Sequence, residues 1–139
     1  MIFNIFFYNI FMFDSIWYKS LTKPPFAPPD WLFAPVWGFL YLTIAISFLI
    51  YITKPAEDKK IGYVYFVIQL VLNLAWSPIF FGLKEIFWAF ILIILMDIFV
   101  YLTIRKFYSV SRISGLILIP YFIWILFATY LNAGYLFLN

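Results

Sequence analysis

Residues 69–81, QLVLNLAWSPIFF, set Gln69, Asn73, Trp76 and Ser77 inside an apolar run and then break that run with Pro78. On a helix Gln69, Asn73, Trp76 and Phe80 fall at offsets 0, 4, 7 and 11, which is one face. Two further stripes share the pattern: Trp37, Tyr41, Ala45 and Phe48 at offsets 0, 4, 8 and 11, and Tyr121, Trp124, Ala128 and Asn132 at offsets 0, 3, 7 and 11. The chemistry on offer is hydrogen bonding by neutral amides and indoles, and stacking on flat aromatic rings. With no Cys and no His there is no thiol nucleophile, thiolate metal site or imidazole base.

The solvent around these stripes follows from composition. A chain of 139 residues that is 67% hydrophobic and 11% charged, with mean hydropathy +1.04, lies far outside the soluble globular range and reads as a single integral membrane domain. Its apolar runs are long and continuous, so helix packs on helix, and a closed barrel of short alternating strands is excluded. The formal charge of +3 comes from nine Lys and Arg scattered between the apolar runs, which argues for membrane anchors and against a nucleic-acid partner.

Five passes are expected, making an all-α, five-transmembrane-helix bundle with a short or incomplete first helix. Residues 1–13 reach about 20 Å of a hydrocarbon core about 30 Å thick, residues 1–18 nearly enough to span it, and the segment lacks the basic start and cleavage site of a signal peptide. KSLTKPPFAPPD, residues 19–30, holds four of the eight prolines and reads as a stiff surface loop, with Asp30 as N-cap of the next helix. The remaining spans are expected at 31–53, 61–83, 86–107 and 113–137, the third and fourth forming an antiparallel hairpin and the fifth interrupted by Pro120 and Gly134. Lys54, Lys59, Lys60, Arg105, Lys106 and Arg112 then share one side and Lys19, Lys23 and Lys84 the other, which puts the amino terminus in the cytoplasm.

A neutral amide in hydrocarbon must find a partner, so the three stripes should face the bundle interior. Residue by residue they read as interhelical glue, whereas their convergence, with six Trp in the chain, reads as the wall of a cavity. Pro78 and Pro120 should each bend their helix, opening a gap suited to a flat polycyclic ligand. Asp97, deep in the fourth span, is either a functional carboxyl or an acid meeting water near the interface.

Four motifs, WYKSLTKP at 17–24, PPDWLFAPVWGFLY at 28–41, QLVLNLAWSPIFFG at 69–82 and PYFIWILFATYLN at 120–132, resemble those of the tryptophan-rich sensory protein and translocator protein family in the family's order. The resemblance covers about residues 17–132 and adds Trp88 early in the fourth span. It implies a five-helix bundle, often a homodimer, in the bacterial envelope or the mitochondrial outer membrane. The implied ligands are porphyrins such as protoporphyrin IX and, in animals, cholesterol and synthetic benzodiazepine-like compounds. By matching motifs, Trp37, Tyr41, Asn73, Trp76, Trp124, Ala128 and Leu131 would line the pocket, and Trp17, Tyr18, Trp31, Pro28 and Pro29 would form its lid and hinge. No Lys or Arg follows Arg112, so the animal C-terminal cholesterol site is not carried over.

The function this implies is a membrane receptor for tetrapyrroles with a sensory or regulatory role. Asn73 and the indole N–H groups would serve as donors to ligand carboxylates, with Lys19 and Lys23 near the lid. No resident cofactor or metal is expected, and metal-free porphyrin is the expected ligand, since only Tyr could ligate haem iron. Two alternatives stand beside it: light-dependent porphyrin breakdown, in which Trp37 and Trp124 match the implicated positions, and transport of porphyrin or another lipophile. The first is photochemistry on an oxidisable indole and needs no acid or base residue.

Overall fold

The structure, a computed structural model, describes residues 20–139. The expected first helix over residues 1–18, with Trp17, Tyr18 and Lys19, lies outside the described residues. Among the described residues there is no strand, and four helical segments of 21 to 27 residues are long and apolar enough to cross a membrane. They are α1 (Phe33–Thr53), α2 (Lys60–Ser77) continued by a π-helical turn (Pro78–Gly82), α3 (Ile86–Val110), and the pair α4 (Arg112–Ile117) and α5 (Ile119–Leu138). The protein is an integral membrane protein.

Each helix buries a face at helical spacing. In α1 the buried face is Leu40, Thr43, Ile44, Ser47 and Tyr51, and in α3 it is Ala89, Ile93, Met96, Val100, Thr103 and Phe107. α2 buries Gly62, Phe66, Gln69 and Asn73, and α5 buries Tyr121, Ile125, Leu131, Asn132 and Tyr135. The stripe expected on α2 is therefore interior, whereas the one on α1 is rotated. Ala45 is exposed, and Trp37, Tyr41 and Phe48 flank the buried seam without forming it. Spacing alone ranks aromatic and polar positions; the helix turned its Leu, Ile and Ser side inward, because those residues fit the narrow contact with α4.

Local hydrogen bonds keep polar atoms satisfied where water is absent. The hydroxyls of Thr43 and Thr103 donate to the carbonyls of Leu40 and Phe99 within their own helices. Ser47 Oγ donates to the Ser114 carbonyl at 2.7 Å, and Ser114 Oγ returns a bond to the Ser47 carbonyl at 2.8 Å, which ties α1 to α4. A 3-10 turn over Asp30–Leu32 leads into α1. The last span breaks at Leu118, so Pro120, expected to interrupt it, lies in the first turn of α5, where its missing N–H costs no helical bond. One expectation is corrected. Gly134 interrupts nothing; it lets Pro24 of the proline-rich loop pack where a Cβ would collide.

At the end of the bundle that carries the α1–α2 loop, aromatic rings lock the helices. Tyr51 stacks on Phe107 at 4.0 Å between centroids and 9° between planes, and its hydroxyl donates to the Lys59 carbonyl at 2.8 Å. A Cβ at Gly62 would meet the Tyr51 hydroxyl and ring, and neither can swing away without breaking that stack. Replacing Gly in a helix gains at most about 1 kcal/mol of propensity, whereas overpacking a filled core costs about 1–3 kcal/mol. Gly62→Val, which adds bulk and little propensity, therefore lowers the melting temperature in detergent; an unchanged melting temperature would show that the ring has room to move.

Candidate functional site

The three polar faces converge where α1, α2 and α5 meet. A directed chain of hydrogen bonds runs through them. Tyr41 O–H donates to Asn73 Oδ1 at 2.7 Å, Asn73 Nδ2 donates to the Tyr121 hydroxyl at 2.8 Å, and Tyr121 O–H donates to Gln69 Oε1 at 2.8 Å. Gln69 and Tyr121 are 1% and 0% exposed, so every link lies in a medium where an unmade bond is costly. This part of the site is interhelical glue. Asn73, expected as a donor to a ligand carboxylate, spends its oxygen and one amide hydrogen on the two tyrosines.

Beside the chain stands an aromatic wall. Trp37 on α1 packs at 5.6 Å from Tyr41, and edge-on at 6.4 Å from Tyr121 and 6.5 Å from Trp124. Phe33 stands edge-on to Trp124 at 5.8 Å, and Ala128 packs on the same core. The three indoles expected in the site differ in their N–H groups. Trp76 Nε1 donates to Asn132 Oδ1 at 2.9 Å, and Asn132 Nδ2 passes on to the Ile86 carbonyl, so this indole joins α2, α5 and the start of α3. Trp124 Nε1 is buried and has no acceptor among the described residues. It is an orphan donor at the centre of an aromatic cluster, the arrangement that a bound acceptor would complete.

Leu131 lies in a second cluster with Phe80, Phe81, Ala89 and Tyr135, and Trp76 packs against both clusters. The π-helical turn presents Phe80 to Trp76, with the rings stacked at 4.9 Å. Its widened winding follows from Pro78, which supplies no N–H, and the turn closes with the Leu83 N–H on the Pro78 carbonyl at 2.9 Å. The proline-rich loop covers this second cluster through Leu21 and Ala27. It is fastened to the end of α5 by the Thr22 N–H on Asn139 Oδ1 at 2.8 Å, by Asn139 Nδ2 on the Thr22 carbonyl at 3.1 Å, and by the Tyr130 hydroxyl on the Pro25 carbonyl. Of the expected lid residues, Pro28 is half-buried, Pro29 is exposed, and Trp31 is 71% exposed and turns away from the site.

The chain matches the family model described as TspO/MBR over residues 2–138. It belongs to the TspO/MBR family. Among its relatives, the tryptophan-rich protein TspO of Chlorobaculum tepidum is 41% identical over 127 residues, covering 90% of this chain and 80% of its own. The human translocator protein is 36% identical over 119 residues, covering 84% and 70%, and the tryptophan-rich sensory protein of Cereibacter sphaeroides is 31% identical over 116 residues, covering 84% and 72%.

This TspO/MBR chain also shows contacts that its residue spacing did not reveal. Phe33 joins the aromatic wall from the first turn of α1, and Tyr121, one turn before Trp124, is the hub of the hydrogen-bond chain. Asp97 sits midway along α3. The Thr129 hydroxyl lies 2.7 Å from Asp97 Oδ2 and 2.8 Å from the Ile125 carbonyl, and Asp97 Oδ1 is buried without a partner. The one usable signal was Asp97 itself, a carboxyl too deep in an apolar span to lack a neighbour.

Proposed function

We propose that the protein is a membrane receptor for protoporphyrin IX-like tetrapyrroles and related flat hydrophobic ligands, with the sensory role that the name of its Cereibacter sphaeroides relative carries. The observation that supports this reading best is the buried, unsatisfied Trp124 N–H among Phe33, Trp37 and Tyr121. A ligand with an aromatic body and a carboxylate or carbonyl edge matches both features: the rings stack and the edge accepts. The Trp37 N–H, which has no partner among the described residues, is a second donor on the same wall. The bacterial envelope or the mitochondrial outer membrane is the proposed location.

The test is a titration of the purified protein in detergent with protoporphyrin IX, followed by tryptophan quenching and porphyrin absorbance. Saturable binding with a Kd near micromolar, about −8 kcal/mol, is expected. Linear, unsaturable quenching would show partition into the micelle and end this reading.

Light-dependent porphyrin breakdown is the second reading, favoured by the Trp37–Trp124 pair at 6.5 Å. An excited porphyrin against either indole would have a second oxidisable ring in contact with the first. Trp37→Phe then separates the roles, because it keeps an aromatic face for binding and removes one member of the redox pair. Breakdown under illumination that proceeds unchanged in this variant would exclude the pair.

A further inference from the structure

The face of α3 that leads to α4 carries a second pattern, unrelated to the aromatic wall. Tyr101, Arg105 and Tyr108 follow one another at offsets 0, 4 and 7 on α3, and Arg112 opens α4 after the extended Ser111, so that a phenol alternates with a guanidinium. The structure brings each guanidinium over the ring that precedes it. The Arg105 guanidinium lies 5.9 Å from the Tyr101 ring centroid and that of Arg112 6.0 Å from the Tyr108 centroid. Both tyrosines are nearly half exposed, and both arginines are exposed.

Neither guanidinium has an ion-pair or hydrogen-bond partner among the described residues, although each presents five N–H donors in a rigid plane. The ladder belongs to the rim that also holds Lys54, Lys59, Lys60 and Lys106, where the acids among the described residues are Glu57 and Asp58 on the α1–α2 loop. Ordered, unneutralised arginines at the end of a lipid-facing helix call for an anion that the membrane itself supplies. At 25 residues α3 is about 37 Å long, several ångströms more than the hydrocarbon core, so its last turns reach the phosphate layer. The planar fork suits two phosphate oxygens at once, which an ammonium does not.

We infer that the Tyr101–Arg105–Tyr108–Arg112 ladder is a binding site for the phosphodiester headgroup of an anionic phospholipid in the leaflet that meets this rim. The tyrosine rings stand beside the guanidinium groups, whose N–H donors are left to the phosphate. The site is separate from the aromatic wall and does not depend on the ligand proposed there.

Native mass spectrometry of the full chain in detergent, titrated with phosphatidylglycerol or phosphatidylcholine, tests it. Wild-type protein is expected to favour phosphatidylglycerol by about tenfold, and Arg105→Gln with Arg112→Gln to reduce that preference to about twofold or less. Lys54→Gln with Lys60→Gln removes the same charge from the same rim and should leave the preference intact. Arg105→Lys with Arg112→Lys should not restore it. Circular dichroism melts of each variant separate loss of the site from loss of the fold, and if the Gln pair melts early, Tyr101→Leu with Tyr108→Leu removes the shelves and keeps the charge, with a loss of about threefold expected. Equal binding of the two lipids by wild type, an equal loss in the Lys54/Lys60 variant, or full rescue by lysine would overturn the proposal. So would displacement of the lipid by millimolar inorganic phosphate, which would make the ladder a site for free anions.

Discussion

Trp124→Phe weakens protoporphyrin IX binding by about tenfold to a hundredfold, whereas Trp37→Phe changes it by no more than about threefold. Both substitutions keep an aromatic ring on the wall, so stacking is nearly equal in the two variants. They differ in the donor removed. Trp124 Nε1 is buried without an acceptor, so in the free protein it pays the cost of an unmade bond, and a ligand that accepts from it recovers that cost. Trp37 carries its N–H where it is not shut off in the same way, and its loss removes less. Porphyrin absorbance is the right readout, since each variant has also lost a reporter indole. Equal losses in the two variants would mean that stacking carries the affinity, and no loss in Trp124→Phe would place the ligand elsewhere.

Asn73→Ala destabilises the bundle by about 2–4 kcal/mol, seen as a fall in melting temperature in detergent, and does so without any ligand. The amide links Tyr41 to Tyr121 and, through it, to Gln69, so its removal breaks two bonds at 2.7 and 2.8 Å. Individual side-chain bonds between membrane helices average only about 0.6 kcal/mol; the larger figure expected here comes from two bonds lost together and the space left by the truncated side chain. Tyr41→Phe should cost only about 1 kcal/mol, because the Asn73–Tyr121–Gln69 part survives. A variant Asn73→Ala that is as stable as wild type but loses porphyrin would show instead that this amide faces the ligand. Binding losses in Asn73 variants are therefore to be read only beside their stability, whereas Trp124→Phe is a cleaner probe of the wall.

The two clusters divide the work of the bundle. Around the hydrogen-bond chain, polar bonds join α1, α2 and α5 beside the aromatic wall. Around Leu131, Phe80 and Tyr135, apolar packing under the proline-rich loop closes the end, with the loop held by Asn139 and Tyr130 from α5. Trp76 packs against both clusters and is bonded to Asn132.

Composition and spacing by themselves determined the membrane solvent, the four described spans and their approximate ends, and the polar face of α2, because each rests on local quantities: length against bilayer thickness and the 3.6-residue repeat. The motifs in order likewise sufficed to identify the family. The tertiary structure decided the partners. That Asn73 bonds two tyrosines, that Trp76 spends its N–H on Asn132 while Trp124 keeps its own, and that Asp97 meets Thr129 are facts about residues 32 to 56 positions apart. So too is the fastening of Thr22 by Asn139, 117 positions away. Spacing states which residues share a face of one helix but not how far that helix is rotated against its neighbours, and Ala45, exposed despite its place in the expected stripe, marks the difference. Rotation is set by how ridges of side chains fill the grooves opposite them, a property of several helices at once, and only the packed bundle contains it.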